Sequence, residues 1–312
     1  MDVAKVQEIA AQFGVPRAYD RLDELLDDPE VEAVYVASPA YRHREQVIAA
    51  AERGKHVLCE KPLAPTLADG EAMVAACQRA GVFLQEGYMM RFHGAHVTMR
   101  RLIDEGRLGQ LVYLRAQLSC WYPPVPGAWR QDPKLGGGGA LIDMATHLYD
   151  LLEYFAGPVR RVAARTGHLV HGYGVEDAAT TLLEFASGAQ GTVDCFFCIP
   201  DEASRTRLEV YGSQGAVLSE GTVGQSVGGL LEGIFGLGAA AYDATQSKDM
   251  APRFQTLAFP QVNPYTAEFE YFADCILQGR PPETNTGEQG LHILRLVEAA
   301  YRSARTGRFV EV

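Results

Sequence analysis

Within the first ninety residues, three short apolar runs at 33–37, 56–59 and 82–85 are separated by stretches with helical spacing. Strands alternating with helices of this length build βαβ units, and those close into a parallel sheet. The run Ala-Val-Tyr-Val-Ala at 33–37 shows no polar alternation, which reads as a strand buried on both faces, and Ser38-Pro39 ends it. A helix is expected from 41 to 53, stopped by Gly54, before the His-Val-Leu-Cys strand at 56–59. Thr66 with Asp69 opens a further helix that Gly81 closes. Upstream, Val3, Val6, Ile9, Ala10 and Phe13 recur at helical spacing and Gly14 closes them; Asp20 is expected to cap a short helix carrying Leu22, Leu25 and Leu26.

After about residue 90 the rhythm changes. A helix at 92–105 leads into a long alternating strand at 110–119, and Gly136-Gly137-Gly138-Gly139 opens a helix expected to reach Phe155. Strand-like segments at 178–185, 190–199, 207–211 and 216–219 follow with hairpin turns between them, the pattern of an antiparallel sheet. The stretch 221–241 is rich in glycine and reads as a mobile loop; helices at about 265–277 and 288–304 finish the chain. With 312 residues, two domains are expected. The first, 1–90, is α/β with a parallel sheet; the second, 91–312, is α+β with a large, mainly antiparallel open sheet.

A net charge of -11 with no basic stripe argues against a nucleic-acid or anionic-membrane partner. No apolar run approaches the ~20 residues that span a bilayer. Six cysteines scattered through apolar stretches suit reduced thiols in a cytoplasmic protein. Cys195 and Cys198 form a C-x-x-C, yet they fall on an expected strand at 192–199, where residues three apart point to opposite faces.

On a helical wheel, Asp143, His147 and Asp150 fall within about 60° of one another, opposite Met144, Leu148, Leu151, Leu152 and Phe155. A carboxylate one turn before a histidine can orient the ring, as a general base requires. The stripe would equally suit a solvated polar face. Four consecutive glycines ahead of it suggest close approach of a ligand to the helix start. Glu60-Lys61-Pro62 stands just past the second strand, where ligands sit in open parallel sheets; Ser38-Pro39 and Gln85-Glu86-Gly87 hold the equivalent places. A metal site at His93/His96 or His168/His171 lacks a carboxylate partner at ligand spacing, so no metal is expected.

The run His56-Val57-Leu58-Cys59-Glu60-Lys61-Pro62-Leu63, with Trp129-Arg130-Gln131-Asp132-Pro133 leading through the glycines to Asp143-Met144-Ala145-Thr146-His147-Leu148-Tyr149-Asp150, resembles the glucose–fructose oxidoreductase, inositol dehydrogenase and rhizopine-catabolism (Gfo/Idh/MocA) family. Ser38-Pro39 with His43, Arg91-Phe92 and Asn263-Pro264-Tyr265 extend the likeness along the chain. The resemblance implies a Rossmann domain followed by a sheet domain that commonly forms an oligomer interface, here a homo-oligomer (dimer or tetramer). It implies hydride transfer between NAD or NADP and a secondary alcohol of a sugar or polyol. Lys61, Asp143 and His147 would be catalytic, with His147 the proton acceptor. Ser38, Pro39, His43, Glu60, Lys61, Pro62, Gly87, Arg91 and Trp129 would line the cofactor side.

The family's opening strand and G-x-G-x-x-G turn have no counterpart before Asp2-Val3-Ala4-Lys5. That turn brings the pyrophosphate to a helix N-terminus, so impaired cofactor binding and exposed sheet edges are expected. A start at an internal or misassigned methionine is the expected explanation; a deliberately shortened chain, or a relative poor in cofactor binding, would also account for it. A non-catalytic sugar-binding or regulatory relative on the same scaffold is the alternative.

Overall fold

The computed structural model describes residues 3–238 and 253–312. In chain order the elements are α1 (Val3–Phe13), α2 (Leu22–Asp27), β1 (Ala33–Val36), α3 (His43–Glu52), β2 (His56–Glu60), α4 (Leu67–Ala80), β3 (Leu84–Gly87), α5 (Gly94–Asp104), β4 (Leu111–Ser119), α6 (Pro133–Gly136), α7 (Thr146–Ala156), β5 (Val159–Gly167), β6 (Ala178–Phe185), β7 (Gln190–Phe196), β8 (Arg207–Gly212), β9 (Gly215–Glu220), β10 (Leu230–Ile234), β11 (Gln255–Thr256), α8 (Pro264–Leu277), α9 (Gly287–Thr306) and β12 (Val310–Glu311).

Strands β1, β2 and β3 pair in parallel in that order. Central β2 buries Val57, Leu58 and Cys59 on both faces, which is why its sequence is continuously apolar. The local signals hold for α4: Thr66 caps it by accepting from the Asp69 amide, and Gly81 ends it in the left-handed region. Strand β1 departs from expectation. It stands at the sheet edge with only Val36 buried, and Tyr35 is 39% exposed. The short helix after Asp20 begins one residue later than expected, at an N-cap of Arg21 that makes no side-chain cap.

The second sheet has nine strands among the described residues, ordered β11-β10-β9-β8-β4-β7-β6-β5-β12. All its pairings are antiparallel except β4 with β7, whose parallel register puts the ends of both strands, Ser119 and Phe196, side by side. Strands β5 and β12 were missed, and β10 lies in the stretch expected to be a mobile loop. It pairs with β9 from Leu230 to Ile234, because Leu231 and Gly233 can bury against the sheet. Residues 239–241 of that stretch lie outside the described residues.

Helix α9 joins the two cores. Leu291 and Leu294 pack into the apolar cluster around β2. Ile293, Leu296, Val297 and Ala300 pack into the larger cluster beneath α7 and the nine-stranded sheet. Burying these leucine, isoleucine and valine side chains from one helix into both cores, at roughly 1.5–3 kcal/mol each, fixes the carboxyl ends of β1–β3 against that sheet.

Candidate functional site

Because β1, β2 and β3 are parallel, the residues following them project from one end of the sheet. A cavity of about 450 Å³ opens there. Ser38, Glu60 and Lys61 line it from the parallel sheet. Leu118, Cys120 and Phe197 come from the ends of β4 and β7, and Asp143 and His147 from the α7 approach.

The chain reaches α7 through a single wide π turn, Leu141–Ala145, with Asp143 at its middle. Such turns insert a residue into the helical ladder and swing side chains out of α-helical phase. Lys61 crosses to it from a position 82 residues earlier. Its Nζ donates to Asp143 Oδ1 at 3.0 Å and to the Asp143 backbone carbonyl at 2.6 Å. Arg130 Nε donates to the same Oδ1 at 3.2 Å, while its guanidinium lies 4.3 Å over the Trp129 ring. Burial opposes ionisation of Asp143, but the charges of Lys61 and Arg130 outweigh it and hold the carboxyl below its usual range. His147 is buried against Tyr88, ring centroids 5.9 Å apart, and its Nδ1 has no hydrogen-bond partner. Burial and the Lys61 charge push its pKa well below the ordinary imidazole value, Asp143 pulling the other way, so the ring is neutral at pH 7. A neutral imidazole beside a fixed ammonium and an ionised carboxylate can accept a proton from a bound hydroxyl.

Of the expected cofactor-side residues, Ser38, Glu60, Lys61 and Trp129 line the cavity; Pro39, His43, Pro62, Gly87 and Arg91 do not. His43 is buried, its ring nitrogens facing the carbonyls of Ser38, Pro62 and Leu63, where it ties together the loops after β1 and β2. Gly87 lies against the backbone of Cys59 and Glu60, with a Cβ there reaching within 3.3 Å. Arg91 is buried in an ion pair with Asp150, Nε to both carboxylate oxygens at 2.9 Å, and also donates to Thr284 Oγ1. Asp150 therefore parts from Asp143 and His147, although the wheel groups all three. None of the three is a solvated face.

The glycine run answers to the protein rather than to a ligand. Gly137 has φ +77 with Pro65 O 2.5 Å from where a Cβ would stand; a Cβ on Gly138 would meet Tyr301 Oη at 1.9 Å, and one on Gly139 the Glu176 carbonyl at 2.0 Å. The free amides at this helix start are taken by the Glu176 carboxylate, which accepts from Gly139 and Leu141 at 3.0 Å.

Sequence reasoning missed Arg130, although it adjoins Trp129, and it missed the cavity wall of Met89, Met90 and Tyr265. Trp121 packs on His171 and Tyr122 on Phe197, both outside the cavity lining. His93 and His96 stack at 4.9 Å, with His96 bonded to Met90 O and Thr222 Oγ1. Among the described residues no group of three or more His, Cys, Asp or Glu could hold a metal ion. Cys195 is buried in β7, and Cys198 donates to the Asp177 carbonyl.

The residues around Lys61 suit the nicotinamide end of a dinucleotide. They sit beyond the ends of parallel strands, they offer an ammonium and hydroxyl donors, and His147 presents an orphaned buried nitrogen.

Comparison with known proteins gives the same picture. Residues 1–88 match the family model described as "Oxidoreductase family, NAD-binding Rossmann fold", and residues 96–218 match "GFO/IDH/MocA C-terminal domain". The chain is 32% identical to a 1,5-anhydro-D-fructose reductase of Ensifer adhaerens over 97% of its own length and 86% of that protein's. It is 30% identical to a scyllo-inositol 2-dehydrogenase (NAD(+)) of Bacillus subtilis, covering 99% and 85%. Among solved structures, an aldose-aldose oxidoreductase from Caulobacter crescentus complexed with glycerol superposes with a TM-score of 0.87 at 31% identity, covering 99% of this chain and 89% of that one.

Proposed function

This chain belongs to the GFO/IDH/MocA family of NAD-binding oxidoreductases, and from that premise we propose that it moves a hydride between NAD or NADP and a secondary alcohol of a sugar, polyol or related hydroxy compound. One observation carries the assignment of the chemistry. Lys61, from the end of β2, meets Asp143 in the π turn at 3.0 Å, in a cavity that His147 also lines.

When bound, the nicotinamide supplies the hydride acceptor or donor. Ser38, Glu60, Lys61 and Trp129 are placed to hold its end of the cofactor. The substrate hydroxyl docks between Lys61 and His147. The neutral His147 ring takes its proton as the alcohol is oxidised and returns it in the reverse direction. Asp143 offsets the imidazolium so formed beside the Lys61 charge. Lys61 hydrogen-bonds the developing alkoxide oxygen, which lowers the energy of the separated charge. The division of labour follows the two sheets: 1–90 for the cofactor, 91–312 for the substrate and for assembly. Homo-oligomerisation through the open face of the large sheet, where Val112 and Leu182 are exposed, completes the reading, as does a cytoplasmic setting for six unpaired thiols.

The test is NAD(P)H absorbance on a panel of aldoses and cyclitols. His147→Asn is expected to lower turnover by about 10²–10⁴-fold, the usual worth of a positioned acid–base group, without changing the unfolding midpoint much. Wild-type turnover in His147→Asn would sink the mechanism. Sugar binding by calorimetry without any NAD(P)H change in the unmutated protein would favour the non-catalytic alternative.

A further inference from the structure

Resting on that reading, we infer that Arg130 is a positioning residue for the reaction, acting through Asp143: its guanidinium and the Lys61 ammonium grip the same carboxylate oxygen from opposite parts of the fold and leave the other oxygen to His147.

Both donors converge on Oδ1, Lys61 at 3.0 Å and Arg130 at 3.2 Å, and among the described residues Oδ2 has no hydrogen bond. A carboxylate fixed at one oxygen has its second lone pairs free for attraction to an imidazolium. The two clamps have separate anchors. Lys61 is set by the end of β2. The Arg130 guanidinium lies over the Trp129 ring, and its main chain packs on Gly136, where a Cβ would come within 3.2 Å of Arg130 Cα. The loop behind it is pinned by Gln131, which donates to the Pro123 carbonyl at 2.7 Å and accepts from the Val125 amide at 2.9 Å. So the first glycine of the run helps to hold Arg130 in place.

Charge decides what the second clamp does. The groups facing Asp143 are Lys61 from the loop after β2, Arg130 from the loop before α6, and His147 from α7; Cys120 after β4 and Cys195 on β7 lie close enough to feel its charge, and Tyr122 faces Arg130. Without Arg130 a single ammonium would have to oppose burial, and the carboxylate could turn about Lys61. Arg130 touches Asp143, Trp129 and Tyr122, and Tyr122 lies outside the cavity lining, so within the cavity the polar group it acts on is the Asp143 carboxylate.

The experiment uses the full chain, free of cofactor, as Arg130→Gln and Arg130→Lys. Carbon-detected NMR follows the Asp143 carboxyl and the His147 ring against pH. Arg130→Gln should raise the Asp143 pKa by about one unit, the usual effect of losing an adjacent guanidinium, and Arg130→Lys, which keeps the charge, should titrate like the wild type. The side chain is 42% exposed, so neither change opens a core cavity. In turnover with NAD(P)+ and an active alcohol, Arg130→Gln should lower kcat about 10-fold and move its acid limb to higher pH. KM for the alcohol should hold, and Arg130→Lys should recover most of the loss. An unchanged Asp143 titration in Arg130→Gln, or a shifted one in Arg130→Lys, overturns the inference whatever the activity. So does a rise in KM with kcat and its pH profile unaltered, since that marks a direct ligand contact. Absence of turnover in the wild type, with the titration shift intact, would instead overturn the proposed function alone.

Discussion

Replacing Lys61 by methionine keeps the aliphatic stem and removes only the ammonium that binds Asp143. At 3.0 Å the pair attracts with about 5 kcal/mol at an effective dielectric of ~20. Most of that is returned as desolvation, since the Lys61 side chain is only 13% exposed. Arg130 stays on the same oxygen, so Asp143 is not left with an unpaired charge. The stability lost is then nearer a single charged hydrogen bond, about 1.5–3 kcal/mol. Activity should suffer more. Lys61 is the donor to the alkoxide and the partner that fixes Asp143, and losing a positioned group of this kind costs about 10²–10⁴-fold in rate. The Lys61 charge also holds the His147 pKa down, so residual activity should show its acid limb at higher pH. Urea unfolding and kcat/KM measured on the same preparation separate the effects. Turnover within about threefold of wild type, with the expected loss of stability, would refute the reasoning: the ion pair would then be a fastener between the two sheets and nothing more.

Glu86 is buried with its Oε1 accepting from the Leu63 amide, and burial together with Asp150 pushes its carboxyl up to about 8. A raised folded-state pKa gives stability that is complete below the unfolded value near 4.3 and is lost as pH rises toward 8. Glu86→Gln should therefore flatten the decline in unfolding free energy between pH 5 and 8, and an unchanged slope by urea titration would contradict it. Arg91→Leu should cost about 3–5 kcal/mol by stranding Asp150, whereas Arg91→Leu with Asp150→Leu should recover most of it; equal losses in the single and double variants would show that the pair is not acting as a unit.

How much of this was legible in the sequence depended on how far apart the deciding contacts lie. Helix α4 was readable because each of its ends is set locally: Thr66 caps through Asp69, and Gly81 bonds back to Cys77 and Gln78. Central β2 was readable because burial on both faces removes polar alternation. The same apolar signature misled at β1, since composition does not record whether a neighbouring strand covers a face, and Tyr35 is exposed. Strand β10 was lost among glycines that a loop would also use.

The site shows the same boundary more sharply. A wheel drawn at a constant 100° per residue placed Asp143, His147 and Asp150 on one stripe, and it assumes an unbroken α-helix. The π turn at Leu141–Ala145 breaks that assumption, and Asp150 turns instead to Arg91, 59 residues away, while Asp143 meets Lys61 at a separation of 82. The four glycines invited a ligand because their close neighbours, Pro65, Glu176 and Tyr301, lie between roughly forty and 165 residues off in the chain and leave no local mark. Arg130 stayed invisible for the reason that makes it informative: its role is defined only once Lys61 has claimed the same oxygen. Periodicity can nominate a polar face. Which of its members share a charge is settled by the partner that another element brings to it.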